Sequence, residues 1–263
     1  MTMIRPGGET LTKYAIEKAQ LPPAARVLDI GCGEGDTAAM LTEQFGFETT
    51  GIDQSQKLID KGIARCPLYS PSTAASRPPD LRRMEAEFLD FESKTFDAVL
   101  MECSLSVFRL QEDAAFEAYC VLKNGGKLII TDLYRKNPDP RAVAKMIAEA
   151  KEKAAQPKKD GACGENERPS TVMLNGAFVI EELTAMLEEI GFELEHFEDQ
   201  SPTIANFAAG AIMSHGSLAE YIKATVPEGE TPSAYCACSA FWGDSEGAPP
   251  KDLGYFLMIL KKP

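Results

Sequence analysis

The sequence predicts an α/β fold with a mostly parallel sheet between layers of helices, and two observations support this. The first is the segment RVLDIGCGEGDTAAML, residues 26–41, where an apolar run typical of a buried strand leads through three glycines into a helical pattern. The second is that further apolar runs, FDAVL at 96–100 and KLIITDLY at 127–134, alternate with segments of helical periodicity. A strand, a glycine turn and a helix in this order open the nucleotide-binding domains, whose ligands lie at the carboxyl ends of the strands.

The size and charge of the chain limit its organisation and its partners. With 263 residues, one core with insertions is the simplest arrangement, and we predict a single domain over residues 1–263. The formal net charge of −13 argues against nucleic acid and anionic membranes as partners. The sequence has neither an apolar run of about 20 residues nor an N-terminal signal-peptide pattern, so we expect a soluble, cytoplasmic protein. The seven irregularly spaced cysteines fit reduced thiols better than a disulfide framework.

The glycine turn has details that indicate the charge of its ligand. Gly31, Gly33 and Gly35 alternate as G-x-G-x-G, whereas dinucleotide-binding turns follow the pattern G-x-G-x-x-G. Glycine lets the backbone turn sharply and leaves room for a ligand, because it has no Cβ. Asp29 before the turn and Glu34 within it would repel a pyrophosphate, so the turn suits a cationic ligand.

A further acidic residue follows at the end of the next predicted strand. The run ETTGID ends at Asp53, eighteen residues beyond Gly35, where a carboxylate can accept hydrogen bonds from ribose hydroxyls. A glycine-rich turn without a ligand is the alternative, but it does not explain why acidic residues flank the turn. From Asp29 to Asp53 the chain resembles the class I S-adenosylmethionine-dependent methyltransferases. Among these it resembles the ubiquinone/menaquinone-biosynthesis-like group of small-molecule enzymes.

This resemblance covers roughly residues 11–197 and the last strand, and it implies a fold, a cofactor and an activity. The implied fold is a three-layer Rossmann-like methyltransferase fold with a mostly parallel, seven-stranded sheet. The implied cofactor is S-adenosyl-L-methionine, which becomes S-adenosyl-L-homocysteine when its methyl group passes to a small molecule. The chain would then be a methyltransferase enzyme, and the sequence leaves its acceptor and its oligomeric state open.

The remaining elements are predicted from periodicity, glycines and prolines. We predict strands within residues 81–91, 191–199 and 255–263. We predict helices near residues 9–20, 56–64, 113–122, 139–155 and 178–190. The segment RPGGETLT, residues 5–12, and the following Tyr14 either fold over the cofactor or belong to a helix that only packs on the sheet.

Two segments interrupt this pattern. Residues 156–171 are rich in glycine and charge, and we interpret them as a mobile lid. About fifty residues, at about 200–253, separate the last two predicted strands and include an alanine-rich helix near residues 204–222. We interpret this insertion as a helical cap over the substrate site and not as an independent domain.

The resemblance also implies roles for individual residues. The amino-acid end of the cofactor would lie against the glycine turn, the ribose at the end of the second strand, the adenine at the end of the third, and the methionine part at the end of the fourth. The residues implied are, in the same order, Asp29, Gly31, Cys32, Gly33 and Gly35; Asp53 and Gln54; Glu85 and Ala86; and Glu102 and Cys103. Glu87 is a rival of Glu85 for the adenine contact.

No catalytic group stands out in the sequence. Methyl transfer from a sulfonium is an in-line displacement, and the protein mainly has to align the reacting groups and exclude water. A general base is optional, and the candidates for catalysis are His215 in the cap, Tyr134 at the end of the fifth strand and Cys163 in the lid. Alternatively, His215 lies at the end of a helix and has no catalytic role. His196 is interpreted as a structural or surface residue.

Three cysteines bear on the nature of the substrate. Cys163, Cys236 and Cys238 fall on the expected substrate side, and their order is similar in part to that of arsenite methyltransferases, which bind arsenic(III) through thiolates. That family has a further cysteine just beyond the glycine turn, where this chain has Thr37. The alternatives are incidental cysteines, a site for arsenite or thiol methylation, and a structural metal, although C-x-C is not the usual spacing for zinc.

Two other classes of function remain as alternatives. An NAD(P)-dependent oxidoreductase would carry a third glycine at the position of Asp36, and Asp29 also disfavours it. A noncatalytic cofactor-binding or metalloid-sensing protein would bind the cofactor without turnover. No residue in the sequence excludes this second class.

Overall fold

The computed structural model describes residues 5–65, 77–155, 170–225 and 251–263. The strands in these ranges are β1 Arg26–Ile30, β2 Glu48–Asp53, β3 Asp80–Arg83, β4 Phe96–Glu102, β5 Leu122–Arg135, β6 Met173–Leu174, β7 Ala177–Phe178, β8 Glu193–Asp199 and β9 Leu253–Lys261. The helices are α1 Gly8–Ala19, α2 Asp36–Met40, α3 Gln56–Arg65, α4 Gln111–Val121, α5 Pro140–Ala155, α6 Ile180–Ile190, α7 Pro202–His215 and α8 Leu218–Thr225. A π-helical turn, Leu41–Phe45, continues α2, and a 3₁₀ turn, Leu105–Val107, follows β4.

The strands form one mixed sheet with the topology of a ligand-binding α/β domain. Strands β3, β2, β1, β4 and β5 lie side by side in this order and are parallel, while β9 pairs antiparallel with β5 and β8. The chain leaves β1 towards β2 on one side and later returns to β4 on the other, so the strand order reverses at β1. At such a reversal the carboxyl ends of the strands open a crevice that binds ligands.

Helices cover both faces of the sheet, which explains the continuous apolar runs of the central strands. In β1, Val27 packs in the cluster that includes residues of α1 and α7, whereas Leu28 and Ile30 pack in the cluster that includes residues of α4 and α6. All three side chains are buried. Because side chains alternate along a strand, Asp29 shares the face of Val27 and points to the side covered by α1.

The sheet has more strands than the seven that the resemblance implies. In the described residues it has nine, because β6 and β7 form a short hairpin and Phe178 pairs with Tyr134 beyond the end of β4. Asn175 and Gly176 form the hairpin loop with positive φ angles, as a two-residue loop requires. The sequence does not reveal this hairpin because strands of two residues are too short to show alternation.

The alanine-rich helix predicted near residues 204–222 is two helices, α7 and α8. Gly216 ends α7 with a φ of 82°, a left-handed conformation that stops a helix. The buried side chains of both helices pack in the same cluster as those of α1. Residues 226–250 and 156–169 lie outside the described ranges, so the complete cap, the lid and the single-domain organisation stay predictions.

The predicted helices are present with ends shifted by one or two residues. The third strand is shorter than the segment assigned to it, because it ends at Arg83 and residues 84–91 form irregular turns. The helix α5 spans 16 residues. Over the four described ranges, no helix combines the length and apolar character needed to cross a bilayer.

Lys262 is buried near the end of α4 and binds its last carbonyl groups. Its Nζ donates to the carbonyl oxygens of Tyr119 and Leu122, at 2.6 and 2.9 Å, and lies 4.4 Å from the centroid of the Tyr119 ring. A cation at this end of a helix satisfies carbonyl groups that have no partner within the helix. Lys262→Met is therefore expected to lower the free energy of unfolding by about 2 kcal/mol, measured by urea denaturation. The control is Lys251→Met at an exposed position, and an equal effect of both substitutions would contradict this role.

Candidate functional site

The glycine turn between β1 and α2 is held against the end of β2. The N–H group of Gly31 donates to the carbonyl oxygen of Ile52 at 2.8 Å. Gly31, Gly33 and Gly35 have φ angles of 78°, 57° and 77°, in the left-handed region that favours glycine. A Cβ on Gly31 would lie 2.6 Å from the Cβ of Ser104, whereas one on Gly33 would meet no described atom within 4 Å. Gly31 is thus required for packing, whereas no described atom fills the space beside Gly33.

Asp53 joins the end of β2 to this turn. Its Oδ2 accepts a hydrogen bond from the N–H of Gly33 at 2.9 Å, and its Oδ1 accepts one from the N–H of Ser55 at 2.8 Å. The structure therefore brings together the turn and the carboxylate that the sequence predicts as neighbours. Gln54 is exposed, and its carbonyl oxygen accepts a bond from Nε of Arg83 at 3.3 Å. Ligand binding by Asp53 and Gln54 stays a prediction.

Asp29 is buried beneath the turn with an unsatisfied oxygen. The residue is 2% exposed, and its Oδ2 has no hydrogen-bond partner among the described residues. Burial, and then the carboxylates of Glu102 and Asp53, raise the pKa of Asp29 from its ordinary 3.8 to about 8, while Arg5 opposes this rise. A buried acceptor without a partner is costly until a donor arrives. Asp29 is therefore suited to receive an N–H donor or a cation from a ligand.

Glu102, at the end of β4, lies in a buried network whose other members the sequence did not reveal. Nη2 of Arg5 donates to Oε2 of Glu102, to Oγ1 of Thr12 and, at 3.1 Å, to Oγ1 of Thr37. The hydroxyls of Thr12 and Thr37 donate to Oε1 and Oε2 of Glu102, at 2.8 and 3.2 Å. Arg5 and Thr12 belong to the segment RPGGETLT. One hypothesis from the sequence is that this segment folds over the cofactor, so it could have pointed to these two residues. Nothing in the sequence pattern marks Thr37.

The two acidic candidates that follow β3 have different surroundings. Oε1 of Glu87 accepts hydrogen bonds from the N–H groups of Arg109 and Leu110, at 3.1 and 3.2 Å. Glu85 is exposed and the adjacent Ala86 is buried. Glu87 is thus engaged with the backbone before α4, whereas the carboxylate of Glu85 faces solvent. The adenine contact of Glu85 and Ala86 stays a prediction.

Of the two cysteines predicted at the site, Cys32 is half-buried and Cys103 is buried. Burial, followed by the charges of Asp29 and Asp53, raises the pKa of the Cys32 thiol well above its ordinary value. Cys103 is 3% exposed, has a φ of 56° and donates its N–H to the carbonyl oxygen of Thr131 at 2.6 Å. A thiol with a raised pKa is a poor nucleophile, so the absence of an assigned reactivity for Cys32 agrees with its surroundings. Contact of either cysteine with a ligand stays a prediction.

The structure describes two of the three catalytic candidates, Tyr134 and His215. Tyr134 packs edge-to-face on Phe256 with ring centroids 6.1 Å apart, and burial raises the pKa of its hydroxyl. This disfavours the phenolate that would act as a base. His215 is exposed at the end of α7, with its ring 5.2 Å from that of Tyr221. Cys163 lies outside the described residues, and the catalytic roles of all three stay predictions.

No metal site can be assigned in the part of the chain that the structure describes. That part contains no group of three or more His, Cys, Asp or Glu side chains that could hold a metal ion. The proposed ligands Cys163, Cys236 and Cys238 all lie outside it. The metalloid and structural-metal hypotheses therefore stay predictions.

The raised pKa of Asp29 predicts how stability depends on pH. Between 3.8 and about 8 the folded protein holds a proton on Asp29 that the unfolded chain has lost, so stability falls as the pH rises through this range. Asp29→Asn cannot ionise, and we expect it to melt at a higher temperature than the wild type near pH 8 but not near pH 4. Thermal unfolding across this range measures the effect, with Asp60→Asn on the exposed side of α3 as the control. Parallel pH profiles for the wild type and Asp29→Asn would contradict it.

Comparison with known proteins finds a family match over the part of the chain that carries the glycine turn. Residues 28–130 match the methyltransferase domain family. The match runs from β1 to β5 and includes the glycine turn, Asp53 and Glu102, and it covers less than half of the chain. The uncharacterized methyltransferase YodH of Bacillus subtilis is 33% identical over 142 residues, which are 54% of this chain and 58% of that protein. The chain thus spans little more than half the length of this curated relative.

Solved structures share the fold at low sequence identity. The [4+2]-cyclase SpnF has a TM-score of 0.63 and 22% identity, over 96% of this chain and 80% of that chain. Phosphoethanolamine N-methyltransferase 2 of Haemonchus contortus, in complex with S-adenosyl-L-methionine, has a TM-score of 0.65 and 17% identity, over 99% of this chain and 54% of that chain. These similarities show the fold alone. They confirm the Rossmann-like methyltransferase fold, while membership of the ubiquinone/menaquinone group stays a prediction.

Proposed function

We propose that this protein is an S-adenosylmethionine-dependent methyltransferase that acts on a small molecule. The observation that carries the proposal is the buried Oδ2 of Asp29, which has no hydrogen-bond partner among the described residues. It lies under a glycine turn of the matched domain, at the strand reversal where folds of this kind bind ligands. The ammonium and sulfonium groups of S-adenosylmethionine supply the donor and the positive charge that suit this carboxyl group.

The residues around the turn fit the parts of this cofactor. Asp29 would receive the ammonium group, and the absence of a Cβ on Gly33 leaves room for the amino-acid end. The carboxylate of Asp53 accepts hydrogen bonds from two backbone N–H groups at the end of β2, where it would meet the ribose hydroxyls. The exposed Glu85 and the buried Ala86 would hold the adenine.

The cofactor supplies an activated methyl group, and the chain has to orient the acceptor and exclude water. The 3₁₀ turn after β4 is anchored to the neighbouring strands by hydrogen bonds. Oγ of Ser104 donates to the carbonyl oxygen of Ile30 at 2.9 Å, and the N–H and Oγ of Ser106 donate to Asp132 at 3.0 and 2.7 Å. These bonds fix a wall beside the glycine turn against which an acceptor can be positioned.

Two observations support a small acceptor. The Haemonchus contortus enzyme is named for phosphoethanolamine, which is a small molecule. The net charge of −13 disfavours nucleic acid as a substrate. Acceptors that are already nucleophilic need no general base, so this function does not depend on His215 or Tyr134.

Two separate measurements test the proposal. Calorimetry with S-adenosylmethionine and S-adenosylhomocysteine tests binding, and release of S-adenosylhomocysteine with phenol, quinol and amine acceptors tests turnover. Both are needed because SpnF shares this fold and is named a cyclase, so the fold does not determine the reaction. We expect binding of both ligands and turnover with at least one acceptor.

The possible results separate the alternatives. Absence of binding would contradict the proposal. Binding without turnover of any acceptor would favour the noncatalytic class. A further arm with arsenite and a reducing thiol, comparing the wild type with Cys163→Ser, tests the cysteine hypothesis: arsenite-dependent turnover lost in the variant would support it.

A further inference from the structure

Two carboxylates and one guanidinium are buried together next to the glycine turn. Arg5 is 8% exposed, Glu102 is 9% exposed and Asp29 is 2% exposed. Both oxygens of Glu102 are satisfied, Oε1 by Thr12 at 2.8 Å, and Oε2 by Arg5 and by Thr37 at 3.2 Å. On the same face, Oδ2 of Asp29 lacks a hydrogen-bond partner within the described part of the chain. The two carboxyl groups are therefore not equivalent, although they lie at the ends of the neighbouring strands β1 and β4.

We propose that Arg5 is a positioning residue of the cofactor site, which keeps Glu102 as a paired anion and leaves Asp29 to receive the positive charge of the cofactor. This inference rests on the proposed function. Arg5 would act through Glu102 and not by touching the ligand, because its guanidinium donates to side chains enclosed by α1, α2 and β4.

The charge balance gives the physical reason. Arg5 faces Glu102, Tyr255 and Asp29, while Asp29 faces Glu102, Arg5 and Asp53. Two neighbouring carboxyl groups that are both buried cannot both ionise at neutral pH without a cation between them. Burial and then Glu102 raise the pKa of Asp29, whereas Arg5 lowers it, so the paired Arg5 offsets the effect of Glu102. Without Arg5, the pKa of Asp29 rises further, so less of Asp29 is charged at neutral pH and the site binds a cation more weakly.

The pH dependence of cofactor affinity tests this proposal. In the wild type, affinity for S-adenosylmethionine should rise by roughly tenfold per pH unit until the pKa of Asp29, about 8, is reached. The amino group of S-adenosylmethionine also titrates, and its contribution to the pH dependence of the affinity is the same for every variant. Arg5→Met is expected to bind at least about tenfold more weakly near pH 7, with the rise displaced to higher pH. Arg5→Lys should lie between the two, and Arg141→Met, which removes an exposed arginine of α5, should match the wild type.

A second substitution separates positioning from a general loss of structure. In Arg5→Met/Glu102→Gln, the raising of the Asp29 pKa by Glu102 and its lowering by Arg5 are removed together. We expect this double variant to regain the pH dependence of the wild type, even if its affinity at each pH is lower. The proposal is overturned if the double variant keeps the displaced profile, or if Arg5→Met alone shows the wild-type profile or binds more tightly.

A titration without ligand distinguishes failure of this inference from failure of the proposed function. Carboxyl ¹³C NMR of the ligand-free protein should show Asp29 titrating at a higher pH in Arg5→Met than in the wild type, because Arg5 lowers the pKa of Asp29. Asp29→Asn assigns the signal. That result in a protein that does not bind S-adenosylmethionine would overturn the proposed function and support the pairing. An Asp29 signal that titrates identically in the wild type and Arg5→Met would overturn the inference.

Discussion

Asp53→Ala is expected to weaken the binding of S-adenosylmethionine by about 1.5–3 kcal/mol, or roughly 10- to 150-fold in dissociation constant. The substitution removes the carboxylate proposed to accept the ribose hydroxyls. It also removes the acceptor for the N–H groups of Gly33 and Ser55, which hold the turn and the end of β2 together. Both losses act in the same direction, and calorimetry measures their sum.

Two further variants make this result specific. Asp53→Asn keeps one carbonyl oxygen as an acceptor and should fall between the wild type and Asp53→Ala. Asp60→Ala removes an exposed carboxylate on α3 and should bind as the wild type does. Unchanged affinity in Asp53→Ala would refute the placement of the cofactor at the end of β2.

Arg5→Met is expected to lower the free energy of unfolding by about 3–5 kcal/mol near neutral pH, because it leaves Glu102 buried without its cation. Replacing both partners, as in Arg5→Met/Glu102→Leu, should restore most of the stability, since an apolar pair has no charge to compensate. Urea denaturation of the two single variants and the double variant gives the interaction energy as a double-mutant cycle.

The exposed ion pair of α1 provides the comparison. Lys13 and Glu9 lie 2.6 Å apart with side chains 39% and 40% exposed, so Lys13→Met should cost less than about 0.5 kcal/mol. Additive effects of the Arg5 and Glu102 substitutions would show that their pairing contributes no coupling energy. That outcome would also weaken the structural basis of the positioning role.

The sequence pattern was sufficient to predict those features that depend on residues close together in the chain. The apolar run of β1, the glycines of the turn and the acidic residues at both strand ends lie within 25 residues, Asp29 to Asp53. Their local conformation brings the turn to the end of β2, which is what the structure shows. Helix positions were also predicted well, because the helices have clear apolar periodicity and glycine or proline boundaries.

Predictions failed where the outcome depends on contacts between segments. The hairpin of β6 and β7 exists because Phe178 reaches Tyr134 once β4 has ended, and a two-residue strand leaves no pattern in the sequence. The rivalry of Glu85 and Glu87 was unresolved for the same reason, since it is the backbone at residues 109–110 that engages Glu87. Only the packed structure brings these partners together.

The sequence by itself determined the α/β class, the glycine turn and the carboxyl groups Asp29 and Asp53 beside it, because the succession of strands and helices along the chain and the chemistry of the turn follow from local pattern. Only the tertiary structure decided how these carboxyl groups are charged. Arg5 and Glu102 are separated by 97 positions in the chain and meet because α1 packs over the ends of β1 and β4. Burial and pairing set the charge of a carboxyl group, and both arise from neighbours that are distant in sequence.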